Sequence, residues 1–144
     1  MGVIRVLALG CFDGLHIGHL AHLQAARALG DWLIVAVTED AFVNKGLGRP
    51  VFQFEQRCRM LRALRCVDEV VSHRGDSLIT IQENTPQVYV KGKEYEGCLP
   101  EQECIEHLGV KIIFLDTQPV YSSTQLLNGA HLDERLRSAR TCQI

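Results

Sequence analysis

Residues 3–19 read Val3-Ile4-Arg5-Val6-Leu7-Ala8-Leu9-Gly10-Cys11-Phe12-Asp13-Gly14-Leu15-His16-Ile17-Gly18-His19. Val3 to Leu9 is an apolar run broken only by Arg5, the pattern of a strand covered on both faces. Gly10 to Gly14 forms a tight, glycine-flanked turn. From Ile17 to Leu29 the apolar spacing becomes helical, with Leu20, Leu23 and Ala26 on one stripe and Gly30 as a natural stop. A buried strand that turns directly into a helix is how parallel α/β sheets begin.

The alternation continues outward from this stretch. Trp32 to Val37 reads as a second buried strand, followed by the polar loop Asn44-Lys45-Gly46-Leu47-Gly48-Arg49-Pro50. Phe54, Cys58, Leu61 and Arg65 mark successive turns of the next helix, and Met60 and Leu64 widen its apolar face. Strands are expected at 68–72, 88–90 and 110–115, with helices over 78–83 and 101–108. A last helix opens at Ser123 and ends at Gly129. The expected fold is a single Rossmann-like α/β domain: a five-stranded parallel sheet with right-handed crossovers and helices on both faces. Its core spans about residues 3–129, and residues 130–144 form a charged tail. The chain's 144 residues suit one domain. Such sheets bind ligands beyond the carboxyl ends of their strands, where the strand order switches.

Composition narrows the function. Hydrophobic residues make up 47% of the chain, enough for a packed core. The formal charge of -2 gives no bulk attraction to nucleic acid or to a membrane surface. No stretch approaches the roughly 20 apolar residues of a membrane helix, and the N-terminal run reads as a strand and not as a signal peptide. Six cysteines (Cys11, Cys58, Cys66, Cys98, Cys104 and Cys142) include no C-x-x-C pair, so reduced thiols and a cytoplasmic location are expected.

The first turn carries the chemistry. Gly10, Cys11, Phe12, Asp13 and Gly14 bring the backbone close to whatever sits at the start of the helix, whose free N–H groups attract anions. His16 and His19, three apart, lean to one side, and Gly18 between them keeps the surface open. This is a cradle for a polyphosphate. His22 lies beyond that motif and reads as a surface or packing residue.

H-x-G-H after a G-x-F-D turn resembles the signature of the nucleotidyltransferase superfamily. The likeness extends along the chain. Gly46-Leu47-Gly48-Arg49-Pro50-Val51 with Glu55-Gln56-Arg57, and Val90-Lys91-Gly92-Lys93-Glu94-Tyr95, are similar to stretches of bacterial heptose-1-phosphate adenylyltransferases. Tyr121-Ser122-Ser123-Thr124 is similar to the segment that opens the last helix in that family. Glycerol-3-phosphate cytidylyltransferases share much of the plan. Their usual arginine before the serine-threonine segment is replaced here by Thr117-Gln118-Pro119-Val120, which favours the heptose type. Lys93 and Glu94 replace the usual Gly-Asp, leaving the donor base open.

The resemblance implies that His16, His19, Lys45 and Arg57 form the catalytic set. It makes Gly10, Cys11, Phe12, Asp13, Gly18, Lys91, Gly92, Tyr121, Ser123 and Thr124 the nucleotide site. Each role has a plainer counterpart: Lys45 as a solvated loop lysine, Ser123 and Thr124 as helix caps, Asp13 as an acceptor for backbone amides and not a magnesium ligand. Arg57, near the same end of the sheet, is expected to grip phosphate bidentately. The implied reaction transfers a nucleoside monophosphate from ATP or CTP, with magnesium, to a phosphorylated sugar or polyol, releasing pyrophosphate. The same reaction with CTP and glycerol 3-phosphate, and a nucleotide-binding module without turnover, are the rivals. A homodimer is what the family suggests. A dehydrogenase is excluded because the first turn is not G-x-G-x-x-G.

Overall fold

The computed structural model describes residues 2–117; the expected last helix, with Tyr121, Ser123 and Thr124, and the tail lie outside the described residues. Five strands form one parallel sheet: β1 (Arg5–Gly10), β2 (Trp32–Thr38), β3 (Glu69–His73), β4 (Val88–Gly92) and β5 (Lys111–Leu115). Their spatial order is β3-β2-β1-β4-β5. The chain steps outward from β1 through β2 to β3, then crosses back to lay β4 on the other side of β1. The switch therefore falls between β1 and β4.

Every side chain from Val6 to Ala8 and from Leu33 to Val37 is buried, as the unbroken apolar runs require. Alternation along the strands sorts them into two cores. Val6, Ala8, Val35, Val37, Val88 and Val90 pack against Leu23 and Ala26 of α1 (Ile17–Arg27) and Cys58 and Leu61 of α2 (Phe54–Arg62). Leu7, Ile34, Ala36 and Tyr89 face Ile81 of α3 (Ser77–Asn84) and Ile105 of α4 (Gln102–His107). Helices thus cover both faces.

Boundaries move by a residue or two, and one reason is specific. Helix α1 ends at Arg27, and Gly30 marks a close approach: a Cβ there would lie 2.7 Å from the Ile4 carbonyl oxygen. Met60 is 60% exposed, so the apolar face of α2 is narrower than its spacing suggests. That helix ends at Arg62, before Arg65.

Candidate active site

The carboxyl ends of β1 and β4 meet at the switch point. Ala8 is in register with Val90, so Gly10 and Gly92 end neighbouring strands at one level. The chain leaves Gly10 through Phe12, whose φ of 53° is in the left-handed region. A phenylalanine holds that conformation only where its surroundings enforce it. Its ring is fully buried and packs 5.6 Å from the His19 ring. Phe12 thus braces a histidine with its side chain and has only backbone to offer a nucleotide.

The histidine pair caps α1. His16 is the N-cap, its Nδ1 accepting from the Gly18 amide at 3.0 Å, while the His16 amide donates to His19 Nδ1 at 3.3 Å. This is a capping box built from imidazoles in place of serine and glutamate. It fixes the chemistry of both rings. An Nδ1 that accepts a backbone N–H carries no proton, so each neutral ring bears its proton on Nε2, on the far side from the cap. The rings stack 3.8 Å apart, an unfavourable arrangement for two imidazolium ions. Burial, and then the Lys45 charge, hold the His16 pKa below its ordinary value. The pair therefore presents two neutral N–H donors at the positive end of a helix dipole.

Asp13 anchors the loop that follows β2. Its carboxylate is buried and accepts from the Phe52 amide at 2.9 Å, the Val51 amide at 2.8 Å and Arg49 Nε at 2.7 Å. Burial opposes its charge, yet the two amides and the guanidinium outweigh that and lower its pKa. Both oxygens are engaged by protein donors, so Asp13 does not suit a magnesium ligand. Among the described residues no cluster of histidine, cysteine, aspartate and glutamate could hold a metal ion. A magnesium ion arriving on nucleotide phosphates would keep mostly water and phosphate oxygens around it.

Arg57 corrects the sequence expectation. Its side chain is buried and points into the protein. Nε donates to the Phe52 carbonyl at 2.8 Å, and Nη1 donates to the Cys11 and Thr38 carbonyls at 2.8 and 2.7 Å. Nη2 pairs with Asp40 at 2.6 Å. Arg57 clamps the turn after β1 to the end of β2 and is not brought to the site as a phosphate ligand. The residues that sequence reading missed are its partners, Thr38 and Asp40, together with Arg49. The last lay within the quoted Arg49-Pro50-Val51 run, where an arginine beside amides that Asp13 accepts was the available signal.

Lys45 is the opposite case. Its ammonium is buried and has no hydrogen-bond partner among the described residues. Burial lowers its pKa first, Cys11 opposes that, and Arg49 adds to it. Its charge acts on both His16 and Cys11, which puts it beside the end of β1. Burial pushes the Cys11 thiol up even though Lys45 and Arg57 pull it down, so Cys11 stays a neutral thiol. A desolvated ammonium next to two N–H donors is a site arranged for an anion.

On the other side of the crevice, Lys91 is buried on β4. Gly92 has a φ of -65°, so its backbone does not demand glycine; the space above it is filled by the Glu94 carboxylate. His22, fully buried, is a packing residue. Desolvation and the Lys91 charge bring its pKa down to about 4.

No helix among the described residues is long and apolar enough to cross a membrane. The cytidylyltransferase-like family model matches residues 7–129. The bifunctional protein HldE of Streptomyces coelicolor is 47% identical over 126 residues, which is 85% of this chain and 27% of that protein. HldE of Methylococcus capsulatus is 41% identical over 130 residues, with the same coverage. The chain thus spans about a quarter of the length of these curated relatives. Among solved structures, a lipopolysaccharide core biosynthesis protein from Thermoplasma volcanium superposes with a TM-score of 0.71 at 31% identity, covering 82% of this chain and all of the other. A pantoate-beta-alanine ligase from Francisella tularensis (TM-score 0.66, 18% identity, 94% of this chain, 69% of that one) shares the fold. With its strand order, its imidazole-capped first helix and this match over most of its length, the chain belongs to the cytidylyltransferase-like family.

Proposed function

We propose that the protein transfers a nucleoside monophosphate from ATP to a sugar phosphate of the heptose 1-phosphate type and releases pyrophosphate. One observation carries this reading: two neutral imidazole donors and a buried ammonium with no hydrogen-bond partner among the described residues converge at the start of α1, beyond the end of β1. The likeness to the Thermoplasma lipopolysaccharide core biosynthesis protein and the resemblance of the Lys91-Gly92 stretch to heptose-1-phosphate adenylyltransferases support a sugar phosphate as acceptor.

An acceptor phosphate is mostly dianionic at neutral pH, because its second pKa is about 6, so it needs no general base. The barrier is the approach of one anion to the α-phosphorus of another. Alignment and charge stabilisation lower it without a covalent intermediate. In this scheme His16 and His19 donate from Nε2 to the oxygens that gain charge, and Lys45 and Lys91 hold the phosphates. Magnesium, carried on the nucleotide, supplies further neutralisation of the triphosphate. The family resemblance adds Ser123 and Thr124 as further nucleotide ligands, and a nucleoside triphosphate substrate suits a cytoplasmic enzyme.

The test is pyrophosphate release with magnesium and ATP or CTP, against heptose 1-phosphate and glycerol 3-phosphate. Release with ATP and the heptose is expected; release only with CTP and glycerol 3-phosphate would replace the acceptor and donor named here. The decisive variant is His16→Asn, because asparagine still caps a helix but lacks the distant Nε2 proton. Loss of one such donor should lower kcat roughly 100-fold or more with nucleotide affinity nearly unchanged. Unaltered turnover in His16→Asn would end this assignment.

A further inference from the structure

His73 ends β3, in register with Thr38 at the end of β2, and its side chain is buried. Its backbone is held in place: the Glu39 amide donates to the His73 carbonyl at 2.9 Å, and Arg74 pairs with Glu39 at 3.0 Å. Its ring joins a short polar chain on α3. Nδ1 lies 2.8 Å from Thr80 Oγ1, and Thr80 Oγ1 lies 3.1 Å from the Asp76 carbonyl oxygen. A hydroxyl has one proton to give, and a carbonyl only accepts. The Thr80 proton therefore goes to Asp76, and His73 Nδ1–H donates to Thr80. This is the tautomer in which both contacts are hydrogen bonds. Burial, and then the Lys91 charge, hold the His73 pKa below its ordinary value against the opposing charge of Asp76, so the ring is neutral near pH 7. Nε2, turned away from Thr80, is then an acceptor, the reverse of Nε2 in His16 and His19.

Polarity decides what such an atom can meet. The donors at the start of α1, His16, His19 and Lys45, suit the oxygens of phosphate, which only accept. A sugar hydroxyl also has a proton to give, and for that it needs a lone pair. Place agrees with polarity. In the proposed reaction the nucleotide lies at β1 and β4, whereas β3 lies two strands from β1 on the other side, roughly 10 Å away at ordinary strand spacing. An acceptor whose phosphate reaches the α-phosphorus extends its sugar over that side. We infer that His73 is a specificity-determining residue for the acceptor, its Nε2 accepting a hydrogen bond from a hydroxyl of the sugar phosphate. The inference rests on the proposed transfer to a sugar phosphate. Thr80 acts through His73 as a positioning residue, since its hydroxyl fixes the tautomer.

Pyrophosphate-release kinetics with ATP and heptose 1-phosphate, together with ATP affinity by calorimetry, test this in His73→Phe and His73→Gln. Phenylalanine keeps a ring without the lone pair, and the glutamine amide can offer an oxygen near the Nε2 position. His73→Phe should raise KM for heptose 1-phosphate about tenfold, with kcat nearly unchanged and ATP affinity within about twofold of the parent protein. His73→Gln should recover most of that loss. Monodeoxy heptose 1-phosphates identify the hydroxyl: one of them should react about tenfold less efficiently with the parent protein and cost His73→Phe nothing further. The ribose hydroxyls of ATP offer the same chemistry, and a loss of ATP affinity in His73→Phe in place of the acceptor KM would overturn the assignment to the acceptor. Parent-like acceptor KM in His73→Phe, or deoxy losses fully additive with that variant, would overturn it as well. Nitrogen-15 NMR of the unaltered protein needs no variant. His73 should be the Nδ1–H tautomer near pH 7, and its Nε2 signal should shift when heptose 1-phosphate joins an ATP analogue with a methylene α,β-bridge. An Nε2–H tautomer would refute the inference even where both variants fail to fold. No pyrophosphate release from any heptose phosphate by the parent protein would instead remove the sugar-phosphate acceptor, and this inference with it.

Discussion

Replacing Arg57 with alanine separates a structural clamp from a substrate ligand. The guanidinium donates to three backbone carbonyls, of Phe52, Cys11 and Thr38, and to the Asp40 carboxylate. Alanine would orphan all three carbonyls in a position only 2% exposed. Each orphaned buried polar group costs about 1–3 kcal/mol, and water entering the space left by the side chain recovers part of that. Asp40 adds little, because its side chain is 46% exposed and regains solvent. The sum is about 3–5 kcal/mol, a large share of the roughly 5–15 kcal/mol that holds a domain folded. Arg57→Lys should lose less, yet still most of the clamp, since one ammonium cannot span the three carbonyls. Urea denaturation followed by circular dichroism gives the loss, and ATP binding is then measured at low temperature where the variant remains folded. Arg57→Ala is expected to be strongly destabilised and, while folded, to retain ATP affinity within a few-fold. A variant less than about 1 kcal/mol weaker than its parent, with ATP binding abolished, would refute the clamp and restore Arg57 to the phosphate site.

Two further outcomes follow from buried charges. Lys45→Met removes a desolvated ammonium that has no hydrogen-bond partner among the described residues, so the ligand-free protein should gain about 1 kcal/mol while ATP binding falls tenfold or more; a loss of both in urea titration and calorimetry would show that Lys45 is a structural residue. His22 has a folded pKa of about 4 against an ordinary 6.5, so the unfolded chain binds the extra proton between those values and stability declines as pH falls through that window. Integrated from pH 7.5 to pH 5, this amounts to about 2 kcal/mol from His22 alone, and His22→Phe should be less acid-sensitive by that amount; equal acid sensitivity of the two proteins would contradict it.

Most of the fold was legible because its signals are local. Runs such as Val3 to Leu9 and Trp32 to Val37 can be covered on both faces only in a parallel sheet, and the strand-to-helix turn at Gly10 announces the site. What sequence could not supply was the direction of long side chains. Arg57 matches a family motif near the correct end of the sheet, and the same residue type serves a phosphate or three carbonyls equally well. Nothing in Glu55-Gln56-Arg57 states that α2 packs Arg57 inward beside Thr38 and Asp40, which lie more than a dozen residues away in the chain. Asp13 has the same ambiguity. A carboxylate in a glycine-flanked turn serves metal or amides, and only the arrival of residues 49–52 decides. The two histidines were recognised from their spacing, but their tautomers depend on backbone hydrogen bonds that spacing alone does not reveal.

Arginines and lysines occupy different positions around the crevice, and that division matters more than their number. Arg49 and Arg57 each meet a carboxylate; the Arg49–Asp13 pair joins the turn after β1 to the segment after β2, and Arg57, paired with Asp40, reaches the same turn through the Cys11 carbonyl. Lys45 and Lys91 lie on opposite sides of the switch point, one desolvated beside His16 and Cys11, the other against tyrosine rings. Arginine suits the wall positions because its planar fork satisfies several acceptors at once, and lysine suits the proposed ligand positions because its compact charge would follow a phosphate that shifts during reaction. Exchanging the types should therefore fail in different ways. Lysine at position 57 weakens the fold, whereas arginine at position 45 leaves the fold intact and misplaces the charge relative to the imidazole donors. A stability loss confined to the first exchange and a kcat loss confined to the second would separate wall from ligand using residues of identical charge.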